Sequence, residues 1–335
     1  MQTIWRWVMP LLKMVFAFGL VGYLWYQGKL DFSALGVMTS APWTMLAVVI
    51  LHMLAYSTVA FRWVLLLHSQ KIDLPFSWGH RVTYIGFFFN LVLPGGGLAG
   101  DALRMAYAIR SAPSHRPEAI LSLFVDRAIG MYVMLFICLL AVLANPALVF
   151  EIGPLRYMAL GVLLMVVGGP PLAFLLYQIA RRNTLLRSFL FAPNPGRINR
   201  LILRFVQIIR LYRDSSPQLL QAAALSLLSQ TMLLIALLMV ATTMGLGSLG
   251  AGDYAFATPW AWMANFIPLT PGGIGVGEAT FDQICRWIET SPTGAAYGTI
   301  FLVFRILGML GTFPGLIAYL FSRQDVIQAI KENPV

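Results

Sequence analysis

Apolar residues run along the chain in long blocks, and the charged residues lie mainly in the shorter segments between them. A helix that crosses a bilayer needs about 20 predominantly apolar residues. Segments of this character occupy roughly 8–26, 43–67, 119–144, 155–179, 218–245 and 293–321. The pattern predicts an all-α polytopic membrane protein with six full transmembrane helices.

Two more apolar regions, 82–109 and 255–288, are interrupted by proline and glycine, at Pro94–Gly97 and at Pro268–Gly275. Proline lacks a backbone N–H and glycine is a poor helix former, so a continuous helix through either region is not expected. Each region is predicted to form a re-entrant helical hairpin that enters and leaves the membrane by the same face. Non-helical backbone at membrane depth is tolerated only inside protein or at a cavity, so both loops should face inward.

The two hairpins share one sequence pattern. The first contains NLVLPGGGLAGD, from Asn90 to Asp101, and the second contains NFIPLTPGGIGVGE, from Asn265 to Glu278. The aligned positions, at an offset of 177 residues, are Pro94, Gly95, Gly96, Gly100 and Asp101 with Pro271, Gly272, Gly273, Gly277 and Glu278.

A second block repeats at almost the same offset. VDRAIGM, from Val125 to Met131, matches VFRILGM, from Val303 to Met309, at an offset of 178 residues, which aligns Arg127 with Arg305. Two blocks at nearly one offset predict two repeats, 43–144 and 218–321.

Composition and charge place these elements in a membrane. Only 11% of the 335 residues are charged, whereas an average soluble domain carries about 25%. The net charge of +10 lies in loops, chiefly in the arginine-rich segment 180–217, which indicates positive-inside topology rather than nucleic-acid binding. A cytoplasmic 180–217 segment places both termini in the cytoplasm, opens the first hairpin inward and the second outward, and makes the repeats inverted.

We therefore expect a single membrane domain over 1–335, in the inner (cell) membrane. Its parts are a retained signal-anchor helix in 1–42, the first repeat, a connecting span with a basic amphipathic segment in 145–217, the second repeat, and a cytoplasmic tail at 322–335.

The hairpin tips are predicted to form a substrate-binding site. Each half-helix that follows a Pro-Gly-Gly turn should present free N–H groups and a positive dipole end near mid-membrane, where they can meet an anionic group. The tip residues are Pro94, Gly95 and Gly96 in the first copy and Pro271, Gly272 and Gly273 in the second, with Asn90 and Asn265 just before the turns.

Charged residues inside the spans belong to the same predicted site. An arginine at the centre of a transmembrane helix costs at least about 2.5–3.5 kcal/mol, so Arg127 and Arg305 should have partners, for which Asp101, Asp126 and Glu278 are available. Two interpretations of these arginines stay open: structural ion pairing and anion binding. Arg104 is included in the site, although Asp101–Arg104 and Asp282–Arg286 also have the spacing of surface helix pairs. Four residues are expected to anchor the membrane interface: Arg62, Trp63, Tyr84 and Trp262.

Several chemistries lack a motif. The glycine-rich runs carry no Walker A lysine, and no CxxC, HExxH or Ser/His/Asp arrangement is present. Cys138 and Cys285 show no metal-ligand spacing. We expect neither an enzyme nor a bound cofactor or metal.

The motifs NLVLPGGGLAGDALR, VDRAIG and NFIPLTPGGIGVGE resemble the lysylphosphatidylglycerol synthase transmembrane-region family of flippase-like membrane proteins, over about residues 10–325. In bifunctional members this region is the part that flips aminoacylated phospholipid, beside a soluble aminoacyltransferase domain. The resemblance implies a stand-alone lipid flippase without synthase activity, and stand-alone members are associated with polyprenyl-phosphate, glycolipid or hopanoid lipids.

Together these features predict a flippase or scramblase for an anionic or headgroup-modified lipid, either a phospholipid or a polyprenyl-phosphate-linked lipid. The expected partners are membrane lipids with anionic headgroups, and proton or ion coupling is possible because two carboxylates lie at the site. The alternatives are an ion-coupled carrier of a small anionic solute and a non-transporting partner of a lipid-modifying enzyme. The lipid, the coupling ion, the direction of movement and the oligomeric state stay open.

Overall fold

The computed structural model describes residues 15, 18–92, 98–172, 175, 178, 215–265, 270, 273–290 and 293–321, and within them the regular structure is helical. The helices are α1 (18–26), α2 (Leu35–Thr39), α3 (Pro42–His68), α4 (Phe76–Val92), α5 (Leu98–Ser111), α6 (Arg116–Ala144), α7 (Pro146–Glu151), α8 (Gly153–Leu163), α9 (Ser216–Met244), α10 (Ala251–Ala264), α11 (Val276–Ile288), α12 (Gly298–Leu310) and α13 (Phe313–Phe321).

Five helical segments among the described residues are long and apolar enough to cross a membrane. They are Pro42–His68, Arg116–Ala144, Gly153–Leu172, Ser216–Met244 and Gly298–Phe321. All five overlap predicted spans, so the all-helical, multi-pass class is confirmed. Of the sixth predicted span, 8–26, residue 15 and residues 18–26 are described, and 18–26 form α1.

The last predicted span, 293–321, is not one continuous helix. Helix begins at Gly298, and α12 and α13 are separated by a turn at Gly311 and Thr312. Pro314 follows directly in α13 and cannot donate to the carbonyl of Leu310, four residues earlier, so the helical hydrogen-bond pattern cannot continue unbroken here.

Both interrupted regions contain a pair of helices packed against each other, α4 with α5 and α10 with α11. The pairs extend beyond the predicted limits of 82–109 and 255–288, because α4 begins at Phe76 and α10 at Ala251. Most of each connecting turn lies outside the described residues, including the predicted site residues Pro94, Gly95, Gly96, Pro271 and Gly272. Entry and exit through one membrane face stays a prediction.

The first pair is close because glycine faces glycine. A Cβ atom added to Gly100 in α5 would lie 1.8 Å from the carbonyl oxygen of Gly86 in α4. The backbone N–H of Gly100 donates to Oδ1 of Asn90 at 2.7 Å, so the side chain of Asn90 receives one of the N–H groups left free at the start of α5.

One long helix from each half, α3 and α9, organises the packing. α3 and α9 lie antiparallel: near the end of α3, Arg62 donates to the hydroxyl of Ser226 near the start of α9, and Leu66 packs with Ala222. The opposite ends meet in the main apolar core, where Val48 of α3 shares a cluster with Val240 of α9.

The remaining contacts come in matched pairs around α3 and α9. α4 packs against α13 as α10 packs against α6, and α5 packs against α6 as α11 packs against α12. α12 contacts α3 as α6 contacts α9. An antiparallel central pair with reciprocal neighbours is what two inverted repeats would produce, and their orientation across the membrane stays a prediction.

Gly100→Ala should destabilise the fold by about 1–3 kcal/mol, because α4 and α5 must separate to accept the methyl group. Unfolding of the purified protein in detergent micelles measures the change. Gly161→Ala in α8 is the matched control, since a Cβ atom there meets nothing within 4 Å. Equal stabilities of the two variants would contradict the glycine-dependent crossing.

Candidate functional site

The first charge cluster consists of Arg62, Asp101, Arg104, Asp126 and Arg127, contributed by α3, α5 and α6. Nη2 of Arg127 lies 2.5 Å from Oδ2 of Asp101. Asp126 accepts from Nε of Arg62 at 2.7 Å and from Nη2 of Arg104 at 3.3 Å. These bonds connect three helices through shared carboxylates.

Burial within this cluster is uneven. Arg62 and Arg104 are only 5% and 1% exposed, whereas the side chain of Arg127 is 38% exposed. Arg104 also lies over the ring of Trp63, with Cζ 4.4 Å from the ring centroid, a cation–π contact. Arg127 is therefore the member that a ligand can reach most easily.

The second charge cluster consists of Asn265, Glu278 and Arg305. Arg305 donates from Nε to Oε1 of Glu278 at 2.6 Å and from Nη2 to Oε2 at 3.2 Å, a two-point ion pair. Nη2 also donates to Oδ1 of Asn265 at 3.1 Å and to the carbonyl of Gly273 at 3.2 Å. Arg305 therefore links α12 to residues before and after the turn of the second interrupted region.

Local backbone geometry positions Glu278. Gly273 and Gly275 have φ values of 72° and 84°, in the left-handed region that glycine adopts without a steric penalty. α11 begins directly afterwards, and the N–H of Gly275 donates to Oε2 of Glu278 at 2.8 Å. The carboxylate therefore caps its own helix while it holds Arg305, and its side chain is fully buried.

The two clusters are equivalent in the repeat alignment. Asp101–Arg127 and Glu278–Arg305 occupy aligned positions, and each pair joins the second helix of a hairpin to the span that follows it. The candidate partners Asp101 and Glu278 are thus placed against these arginines, whereas Asp126 bonds to Arg62 and Arg104 instead.

A cavity lies beside each cluster. The first cavity, of about 160 Å³, is lined by Ala55, Tyr56, Val59, Arg62, Phe87, Arg104, Asp126, Arg127, Gly130, Met131, Ser229, Gln230 and Leu233. The second cavity, of about 220 Å³, is lined by Tyr56, Phe87, Asn90, Trp262, Asn265, Ile274, Phe301, Phe304, Arg305, Gly308, Met309 and Thr312.

Tyr56 and Phe87 line both cavities, and their ring centroids are 4.9 Å apart. The hydroxyl of Tyr56 donates to the carbonyl of Gly308 at 3.3 Å, which ties α3 to α12 at this point. The two rings therefore stand at the boundary between the cavities. Asn90 of the first hairpin reaches the second cavity, where it shares the lining with Asn265 of the second hairpin.

The interface-anchor interpretation is wrong for Arg62, Trp63 and Tyr84. All three side chains are buried. Arg62 forms an ion pair with Asp126, and the hydroxyl of Tyr84 donates to the carbonyl of Met53 at 2.6 Å. The missed signal was depth, because Arg62 lies more than one turn inside the end of a 27-residue apolar helix and needs a partner for the same reason as Arg127. Trp262 lines the second cavity.

Surface pairing is also wrong for the i,i+3 and i,i+4 pairs. Arg104 is buried beside Asp101 and Asp126. Asp282 is fully buried, accepts from Arg286 at 2.7 Å and from the N–H of Gly298 at 3.3 Å, and lies 3.9 Å from Lys29. It therefore joins α11 to the first residue of α12 and to Lys29, which lies between α1 and α2.

No group of three or more His, Cys, Asp or Glu side chains in the described part of the chain could hold a metal ion. The site consists of arginines, carboxylates, amides and aromatic rings, which bind and orient polar groups.

The family profile described as "Lysylphosphatidylglycerol synthase TM region" matches residues 11–321 of the chain. The chain belongs to this family. No curated protein sequence matches this chain significantly. Membership of the lysylphosphatidylglycerol synthase TM region family identifies a membrane protein linked to lipid handling, and both charge clusters lie within the matched residues.

Removing one member of the Glu278–Arg305 pair should cost about 3–5 kcal/mol, because the other charge stays buried without its partner. Glu278→Gln and Arg305→Gln test this singly, and the double variant should be more stable than either. Unfolding in detergent measures all three, with Glu151→Gln at an exposed site as the control. Strictly additive losses would contradict a coupled pair.

Proposed function

We propose that the protein is a lipid flippase or scramblase that moves an anionic or headgroup-modified lipid, a phospholipid or a polyprenyl-phosphate-linked lipid, between leaflets. One observation carries this proposal: each repeat holds an arginine–carboxylate pair whose arginine lines a cavity. Guanidinium groups bind phosphate through paired N–H donors, so both cavities suit an anionic headgroup.

The surroundings of the first cavity favour a lipid over a small solute. Met131 lines this cavity and is 43% exposed, on the same helix as the exposed apolar side chains of Phe124, Tyr132 and Phe136. Exposed apolar surface on a membrane-spanning helix faces acyl chains. A headgroup can therefore reach Arg127 while its acyl chains stay along α6.

Ligand binding would proceed by exchange of ion-pair partners. An arriving phosphate takes N–H donors of Arg127 that Asp101 otherwise holds, so charge pairing continues throughout. The headgroup then passes Tyr56 and Phe87 into the second cavity, where Asn90, Asn265 and Arg305 offer amide and guanidinium groups. Asp101 and Glu278 are the carboxylates that a coupling proton would use in such an exchange.

Transport is measured with the purified protein in proteoliposomes that contain headgroup-labelled phosphatidylglycerol or polyprenyl phosphate, by following the label that becomes accessible to a membrane-impermeant quencher. We expect label movement well above that of protein-free vesicles. Movement at the protein-free rate with both lipids would contradict transport and favour a non-transporting partner.

Arg127→Gln and the double variant Glu278→Gln/Arg305→Gln should slow transport roughly tenfold or more, because hydrogen bonds to charged groups contribute about 1.5–3 kcal/mol. The double variant leaves no unpaired charge and so separates transport from folding. Arg156→Gln, at an exposed arginine outside both clusters, is the control. Wild-type rates in both site variants would refute the site.

A further inference from the structure

The two charge clusters differ in charge balance. The first contains three arginines and two aspartates, which leaves one positive charge. In the second, Arg305 is matched by Glu278. Although the repeats align, only the first cluster holds a surplus charge among its ion-paired members.

The first cluster also holds unused hydrogen-bond donors. Nε of Arg104 and Nε of Arg127 are buried without a hydrogen-bond partner, and both residues line the first cavity. Arg104 is only 1% exposed, so water outside the protein does not satisfy this donor. A buried guanidinium N–H without an acceptor is unfavourable, so both side chains keep a donor for an acceptor that the described residues do not supply.

The carboxylates near the cavities are already occupied. Asp126, which lines the first cavity, accepts from Arg62 and Arg104. Asp101 and Glu278 do not line either cavity. Asp101 is paired with Arg104 and Arg127, and Glu278 accepts hydrogen bonds from Arg305 and from the N–H of Gly275. An ammonium group in the first cavity would meet three arginines and no free carboxylate among the described residues that line it.

We propose that the first cavity is a phosphate pocket that requires an uncompensated negative charge. It selects lipids whose phosphate is either unsubstituted or esterified to an uncharged alcohol such as glycerol. It disfavours lipids with zwitterionic or cationic headgroups. The volume of about 160 Å³ is roughly ten times the space that one water molecule requires, so a phosphate group with bound water fits. This selectivity makes the proposed function more specific, and it rests on that function for the identification of the ligand as a lipid.

Binding to the full chain in lipid nanodiscs tests the selectivity without any need for transport. Phosphatidylglycerol, phosphatidylethanolamine and lysylphosphatidylglycerol are compared at equal mole fraction by native mass spectrometry. Phosphatidylglycerol should bind at least about tenfold more tightly than the other two, since a unit charge a few ångströms from the arginines is screened only partly. Equal affinities would overturn the proposal.

Inorganic phosphate distinguishes the source of the anion. At millimolar concentration it should compete with phosphatidylglycerol, because both would occupy the same donors. Binding of phosphate without any binding of phosphatidylglycerol would overturn the lipid assignment.

An isosteric change separates charge from shape. Gln230 is half-buried and lines the first cavity, so Gln230→Glu adds a negative charge that cancels the surplus. It should weaken phosphatidylglycerol binding about tenfold or more while the protein stays folded, because the new carboxylate gains arginine partners. Gln283→Glu, the same change at a half-buried glutamine that lines a separate pocket with Lys29, is the control and should leave binding unchanged.

Wild-type phosphatidylglycerol binding in Gln230→Glu would overturn the phosphate pocket, even if transport is observed. Conversely, weakened binding in Gln230→Glu together with absent transport would leave the pocket intact and refute only the flippase activity. The two proposals therefore fail separately.

Discussion

An arginine in the interior of a membrane protein must have compensating groups around it, and this requirement shapes the packing of the described helices. Arg62, Arg104, Arg127 and Arg305 each meet a carboxylate on a different helix or a neighbouring turn. A buried ion pair adds little net stability, but loss of one partner is costly. The pairs therefore fix which helices can be neighbours, and they keep polar groups next to the cavities.

The helices of each hairpin approach closely through their backbones, and this approach brings the carboxylates of α5 and α11 to the arginines. Gly86 and Gly100 allow α4 and α5 to touch, and Gly273 and Gly275 turn the chain into α11. In both copies an asparagine oxygen lies beside the aligned glycine: Oδ1 of Asn90 at Gly100, and Oδ1 of Asn265 at Gly277. The second helix of each pair also carries a carboxylate in its first turn, Asp101 in α5 and Glu278 in α11.

The repeat offset was the most informative feature of the sequence. It aligned Asp101 with Glu278 and Arg127 with Arg305, and the depth of the arginines required partners, so both ion pairs could be anticipated. The bonds of Asp126 to Arg62 and Arg104 could not, because neither arginine has a counterpart in the repeat alignment and both contacts depend on tertiary packing. The same holds for Tyr56 and Phe87, whose shared position between two cavities follows from the packing of α3 against α4.

A cryo-electron microscopy structure of the protein in phosphatidylglycerol nanodiscs tests the central claim most directly. Our account predicts density for a lipid phosphate in the first cavity, within hydrogen-bonding distance of Arg104 and Arg127, with acyl-chain density running along α6 beside Met131. Headgroup density confined to the bilayer surface, with Arg127 still paired to Asp101 and the first cavity holding only water, would contradict it.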